Sequence, residues 1–189
     1  MPSIEIQPLT PERWPDFERL FGTRGACGGC WCMFDKLPRK EFDAGKYEGN
    51  RRAQQKIVES GEVPGLLAFV DGSPAGWIAV EPRERFPRLA GSRVRAPVDD
   101  QPVWSVTCFF IDRKFRGRGL TVALLKAAVD HVRRQGGRIV EGYPTEPRDG
   151  QPAAPTFVFT GLASAFRQAG FVEVARRSPT RPIMRFVIR

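Results

Sequence analysis

Residues 103–137, VWSVTCFFIDRKFRGRGLTVALLKAAVDHVRRQGG, constrain the fold more than any other stretch. Trp104, Val106, Cys108 and Phe110 alternate with Ser105 and Thr107, which reads as a central strand with one wholly apolar face. Leu120, Leu124 and Ala128 then recur at four-residue spacing beside Leu125, Val129 and Val132, the pattern of a buried helix face. Lys126, Asp130, Arg133 and Arg134 share the opposite face, with opposite charges four residues apart, and Gly136-Gly137 ends the run. Between strand and helix lies a turn holding Arg113, Lys114, Arg116, Gly117, Arg118 and Gly119.

That turn has the wrong charge for the helix it opens. A helix N-terminus carries unpaired N–H groups and partial positive charge, so cations there cost about 0.3–1 kcal/mol each. An anion resolves the conflict. It accepts from the free N–H groups and offsets both dipole and arginines, while glycines without Cβ atoms let it approach the backbone. The P-loop pattern GxxxxGK[ST] is absent, and GxGxxG fails because Leu120, Thr121 and Val122 follow Gly119.

The rest of the chain supplies a mixed set of elements. SIEIQPL reads as a strand, and Thr10 with Pro11 begins a helix whose apolar face is Phe17, Leu20 and Phe21. A glycine- and cysteine-bearing loop follows, and residues 38–61 are polar and partly helical. Two apolar runs around Asp71-Gly72-Ser73-Pro74 signal a hairpin, and residues 84–102, rich in Arg and Pro, read as a loop. RIVEGY is a strand, LASAFRQA a short helix, and FVEVARR and IMRFVIR are two closing strands. The order is strand, helix, helix, two strands, strand, helix, strand, helix, two strands: one α/β domain of the α+β kind.

Composition narrows the function classes. The 189 residues suffice for a single domain with a sizeable core. No apolar run reaches the roughly 18 residues needed to cross a bilayer, and no signal peptide is evident, so a cytoplasmic location and no membrane partner are expected. A formal charge of +9 points to an anionic ligand. Nucleic acid is the weaker reading, because the arginines are scattered and no interleaved aromatic–basic strand is present.

RGRGLT at the end of a strand, followed by VALLKAAVDHV, resembles the pyrophosphate-binding motif of the GNAT superfamily of acyl-CoA-dependent N-acyltransferases, usually Arg/Gln-x-x-Gly-x-Gly/Ala. Arg116 and Gly119 match; Thr121 stands where Gly or Ala is customary. The element order fits that fold from about residue 4 onward, and FRQAGFVEV resembles its late helix–strand junction. The resemblance implies a mostly antiparallel sheet flanked by helices on both faces, with acetyl-CoA as co-substrate and an amine as acceptor. It implies that Phe109, Phe110 and Ile111 meet the pantetheine arm through their backbone. The turn Arg116, Gly117, Arg118, Gly119, Leu120 and Thr121 would hold the pyrophosphate, with Phe166 also at the coenzyme. Acyl-CoA binding without turnover remains an alternative, and a homodimer is left open.

Acyl transfer needs a deprotonated amine, a stabilised acyl oxygen and a departing thiolate. Backbone N–H groups of residues 109–111 serve the second need by resemblance. An alkyl ammonium has a pKa of roughly 10, so a base is required. Glu141 and Tyr143 share one face of the strand after the motif helix, and Glu141 either takes that proton or pairs with an arginine such as Arg138 or Arg176. Glu81 is a weaker candidate, expected to be solvated at the end of its strand. Many family members carry a Tyr acid in the late helix where this chain has Phe166, leaving thiolate departure to water, Ser164 or Tyr143.

CGGCWC invites a zinc reading, but Cys108 and His131 alone remain as further ligands, and His131 reads as a surface residue, so no metal is expected. Cys30, Trp31, Cys32 and Met33 read instead as an apolar wall or core. A covalent route through a reactive thiol requires a depressed pKa. The loops 23–48, 84–100 and 144–160 are expected to border the acceptor site. Their arginines favour an acidic acceptor, and Trp31 and Phe157 are candidates for stacking on it.

Overall fold

Asp71 and Gly72 both take positive φ, at 47° and 76°, which closes a two-residue turn matched to the twist of antiparallel strands. It joins β2 (Gly65–Val70) to β3 (Ser73–Pro82) in the middle of the hydrogen-bonded sheet. The computed structural model describes residues 3–147 and 159–189. With β1 (Ile4–Pro8), β4 (Trp104–Ile111), β5 (Ile139–Gly142), β6 (Val172–Arg176) and β7 (Pro182–Val187), the sheet has the order β1-β2-β3-β4-β5-β7-β6. Every pairing is antiparallel except β4 with β5. The parallel pair follows from the intervening helix, which carries the chain back to the starting end of the sheet.

Helices cover both faces. They are α1 (Trp14–Phe21), α2 (Arg39–Ala44), α3 (Glu48–Glu59), the single turn α4 (Pro87–Ala90), α5 (Leu120–Arg134) and α6 (Ala163–Gln168). On one face Leu120, Leu124, Leu125, Ala128 and Val132 of α5 pack on Ile78, Val80, Val106 and Val140. On the other, Phe17, Leu20 and Phe21 of α1 join Trp31, Cys32 and Met33 over Leu67, Trp77 and Ala79. Each fully buried large side chain contributes about 1.5–3 kcal/mol. The loop after α1 is tightly wound: Trp31 and Cys32 have φ of 48° and 61°, and Gly25 lies under the Trp31 indole, where any Cβ would overlap the ring.

A β-bulge corrects the reading of β4. Ala79 pairs with Cys108 and Val80 with Val106, so Thr107 has no partner on β3. One extra residue inverts the alternation beyond it. Trp104 and Val106 face α5, as do Phe109 and Ile111, whereas Cys108 and Phe110 turn to the α1 face. The single apolar face expected from 104, 106, 108 and 110 is therefore split between two cores.

Three smaller expectations also change. Thr10 makes no side-chain cap; a 3₁₀ turn over Pro11–Arg13 leads into α1 instead. Asp130 pairs with Arg133 three residues on rather than with partners at four. His131 is buried at 6% exposure with its ring edge-on to Trp104, not at the surface, because α5 rests on the start of β4 at that point.

Candidate active site

The charged turn sits where its sequence requires. Gly117 and Gly119 both have φ of 74°, in the left-handed region, and a Cβ on either would meet nothing within 4 Å. Gly119 is the N-cap of α5, and the first turn of that helix contains no acidic residue. Asp112 turns its carboxylate back to the Lys114 N–H at 2.8 Å, and Arg116 donates from Nε to the Ile111 carbonyl at 3.2 Å. Among the described residues no carboxylate pairs with Arg113, Lys114, Arg116 or Arg118. Four cationic residues without a carboxylate partner among the described residues thus lie in the turn that leads into α5.

The β4 strand runs from this turn to a gap in the sheet. Pairing with β5 stops at Val106 and Gly142, and from Thr107 to Ile111 the β5-facing edge of β4 has no strand partner among the described residues. Phe109, Phe110 and Ile111 lie along that open edge. They remain paired to Ile78, Trp77 and Gly76 on the other side.

Where the two strands begin to part, a row of buried polar side chains crosses the sheet. Glu81, Ser105, Glu141 and Arg185 pair successively across β3, β4, β5 and β7, and none exceeds 5% exposure. Paired residues point to the same face, so the four form one line. Arg185 donates from Nε to Glu141 at 2.7 Å and clasps Asp99 at 2.6 and 3.1 Å. Tyr143 donates to Glu141 at 2.6 Å, meets Ser105 at 2.9 Å, and accepts from Arg83 at 2.5 Å. At the far end Glu81 is ion-paired with the equally buried Lys36.

Several expectations are corrected here. Glu81 is not solvated; burial raises its pKa, with Lys36 opposing. The arginines on Glu141 are Arg185 and Arg83, not Arg138 or Arg176. Arg176 instead pairs with Glu146 and Glu173. Burial, with the Glu141 charge behind it, holds the Tyr143 phenol far above the ordinary tyrosine value, so it keeps its proton at neutral pH.

Tyr143 also faces a cavity of about 330 Å³, whose walls include Phe34, Arg95, Phe159, Arg181 and Ile183. The walls come from the loops after α1, before β4, before α6 and before β7, so the three loops expected to border an acceptor do meet. Phe34 stands edge-on to Phe159 at 5.9 Å between centroids and carries the Arg88 guanidinium on its face at 4.0 Å. Phe157 lies outside the described residues.

The profile of the acetyltransferase (GNAT) family matches residues 31–153. The chain belongs to the GNAT acetyltransferases. Solved GNAT structures share the fold at low identity. A GNAT acetyltransferase from Streptococcus pneumoniae is 13% identical, with 99% of this chain and 100% of that one aligned at a TM-score of 0.56. PaiA N-acetyltransferase from Thermoplasma acidophilum, solved in complex with coenzyme A, is 14% identical over 98% of this chain and 99% of that one, with a TM-score of 0.54. YncA of Salmonella typhimurium, a putative acetyltransferase solved with acetyl-CoA, is 13% identical over 98% and 94%, with a TM-score of 0.53. Comparison with curated proteins returned no match.

The remaining residues named from the GNAT resemblance divide. Leu120 is buried beneath the turn and Thr121 half-buried beside it. Phe166 is fully buried, edge-on to Phe109 at 6.0 Å, with its ring where a Cβ of Gly142 would be. Ser164 is exposed on α6 and does not line the cavity. Nor does any cysteine. Burial pushes the Cys30 thiol up to about 11, and Cys32 is buried, accepting from the Trp77 indole at 3.2 Å. Among the described residues no group of three or more His, Cys, Asp or Glu side chains is placed to hold a metal.

Sequence reasoning missed Arg83, Ser105 and Arg185 as parts of one network, and Arg95 and Arg181 as walls of one cavity. Arg185 had a signal: a charge inside the otherwise apolar strand IMRFV. The others lie in loops or at strand ends and carry no local mark.

Proposed function

We propose that this GNAT protein transfers the acetyl group of acetyl-CoA to a primary amine by direct attack within a ternary complex. The observation that carries the reading is the α5 N-terminus, where two left-handed glycines and four cations, unpaired among the described residues, stand at the end of a strand edge likewise unpaired among them. A diphosphate fits there on physical grounds: space at both glycines, free N–H groups, and compensating charge. Arg116, Gly117, Arg118, Gly119, Leu120 and Thr121 would hold it, and the backbone of Phe109, Phe110 and Ile111 would meet the rest of the coenzyme. Acetyl-CoA supplies a thioester-activated acetyl group.

The chain's own residues do the remaining work. N–H groups on the open β4 edge stabilise negative charge on the acyl oxygen. Glu141, fully buried and reached through the Tyr143 phenol, receives the proton that the amine must lose, and Arg185 and Arg83 hold both groups in register. The protonated phenol serves as donor toward a departing thiolate, whose pKa of roughly 8.5 demands little acid help. Direct attack is favoured over a thiol-linked route because no cysteine lines the cavity.

Binding of acetyl-CoA by calorimetry, followed by free-thiol release across a panel of amines, tests this. Coenzyme binding without thiol release on any amine would support the non-catalytic alternative, which the hydroxyl-free Phe166 also favours. Tight binding of oligonucleotides with no response to acetyl-CoA would overturn the reading.

A further inference from the structure

The cavity beside Tyr143 has an unbalanced charge. Arg95 and Arg181 line it, and among the described residues no Asp or Glu does. Arg95 is answered from behind by the buried Asp35 at 2.9 Å. Arg181 is not. Its NH1 donates to the Thr160 hydroxyl at 3.0 Å, and among the described residues no acid reaches it. Burial and the nearby Arg95 charge both disfavour its charged form. A half-buried arginine without a counter-ion, facing a second cation, is destabilising for the protein alone. Phe34, Phe159 and Ile183 supply apolar wall, and Ser92, Tyr143 and Thr160 supply hydroxyl-bearing residues.

We infer that, if the acetyltransferase reading holds, the acceptor is a small amino acid-like molecule: a primary amine joined to a carboxylate, with an apolar body. The carboxylate is received by Arg181, whose planar fork suits bidentate pairing with it. The apolar body lies against Phe34 and Phe159, and the amine is directed toward Tyr143. One uncompensated guanidinium matches one negative charge, which favours a carboxylate over a phosphate dianion. The volume of about 330 Å³ is at the small end of ligand sites and suits a single amino acid rather than a long peptide.

The test compares phenylalanine with phenylalaninamide, phenethylamine and the phosphonate analogue of phenylalanine, on the full chain. Binding of each is measured with and without coenzyme A, and thiol release is measured with acetyl-CoA. The expected result is a preference for phenylalanine over its amide and over phenethylamine of roughly 10–100-fold, the range for a hydrogen bond to a charged partner. Arg181→Gln removes that preference, chiefly through KM, while Arg181→Lys retains part of it and a melting temperature no lower than that of the unaltered protein excludes misfolding. Equal binding of acid and amide, no binding of either, or an equal effect of R181Q on both overturns the inference. Stronger binding of the phosphonate overturns the carboxylate assignment. Failure of acetyl-CoA to bind removes the enzymatic reading alone, since the acid preference is read without coenzyme as well.

Discussion

The Tyr143 phenol donates to Oε1 of Glu141 across 2.6 Å, although the two residues are neighbours on one face of the chain just where β5 ends. A strand continuing straight would place them side by side, each facing outward. Here the sheet opens, Tyr143 folds back over Ser105, and the carboxylate is sealed from solvent while the ring faces the cavity. The pair therefore connects a buried carboxylate to an open space. Replacing Tyr143 with Phe breaks that connection and removes one hydrogen bond each from Arg83 and Ser105, while Arg83 keeps Glu141 and the Leu89 and Arg95 carbonyls. We expect kcat to fall by about 100-fold or more, with acetyl-CoA affinity unchanged and a stability loss of about 1–3 kcal/mol. An unchanged kcat would remove Tyr143 from the proton path.

Gly119→Val tests the turn. Its Cβ has room, so the cost is conformational: φ of 74° is unfavourable for a β-branched residue. The variant either strains the helix start or moves it, and acetyl-CoA binding is expected to weaken more than tenfold. Cys30→Ser should leave binding intact, since Cys30 is remote from the turn in the α1-side core. Calorimetry on both variants decides; equal losses would tie the cysteine loop to the coenzyme.

Lys36 and Glu81 form a buried ion pair between the loop after α1 and the end of β3. Lys36→Met alone leaves an uncompensated buried carboxylate and is expected to destabilise by about 3–5 kcal/mol. The double variant K36M/E81L removes both charges and should recover most of that loss. Urea denaturation of the two variants checks it, and a double variant no better than the single would show that the pair is not the source of the loss.

His131 gives a pH dependence of definite sign. Burial, then the Arg134 charge, lowers its pKa from 6.5, so folding favours the neutral ring. The contribution is fully present above 6.5 and is lost as pH falls through the lower folded value. His131→Leu should therefore show a smaller drop in melting temperature than the unaltered protein between pH about 6.5 and pH about 5. Parallel curves would mean that His131 does not titrate in that window.

Much of the fold was legible because its signals are local. The hairpin at Asp71-Gly72, the buried stripe of α5 and the glycine turn before it each depend on residues within a few positions of one another. The site was legible only in part. Glu141 and Tyr143 could be placed on one strand, yet their partners Arg83, Ser105 and Arg185 arrive from three other segments. Glu81 read as a solvated strand end because nothing nearby in the chain announces that Lys36 folds over it. The alternation of β4 misled for a similar reason: Thr107 looks like any outward-facing strand residue until β3 is laid beside it.

By itself the amino-acid order determined the element types, their succession and the cationic glycine turn, since backbone dihedrals and helix-end charge act over a few residues. Only the tertiary structure decided which polar groups face one another and which are left without a counter-charge. Strand register sets both, and register comes from packing whole faces together. One bulged residue is enough to exchange those faces, and no short stretch of sequence contains that information.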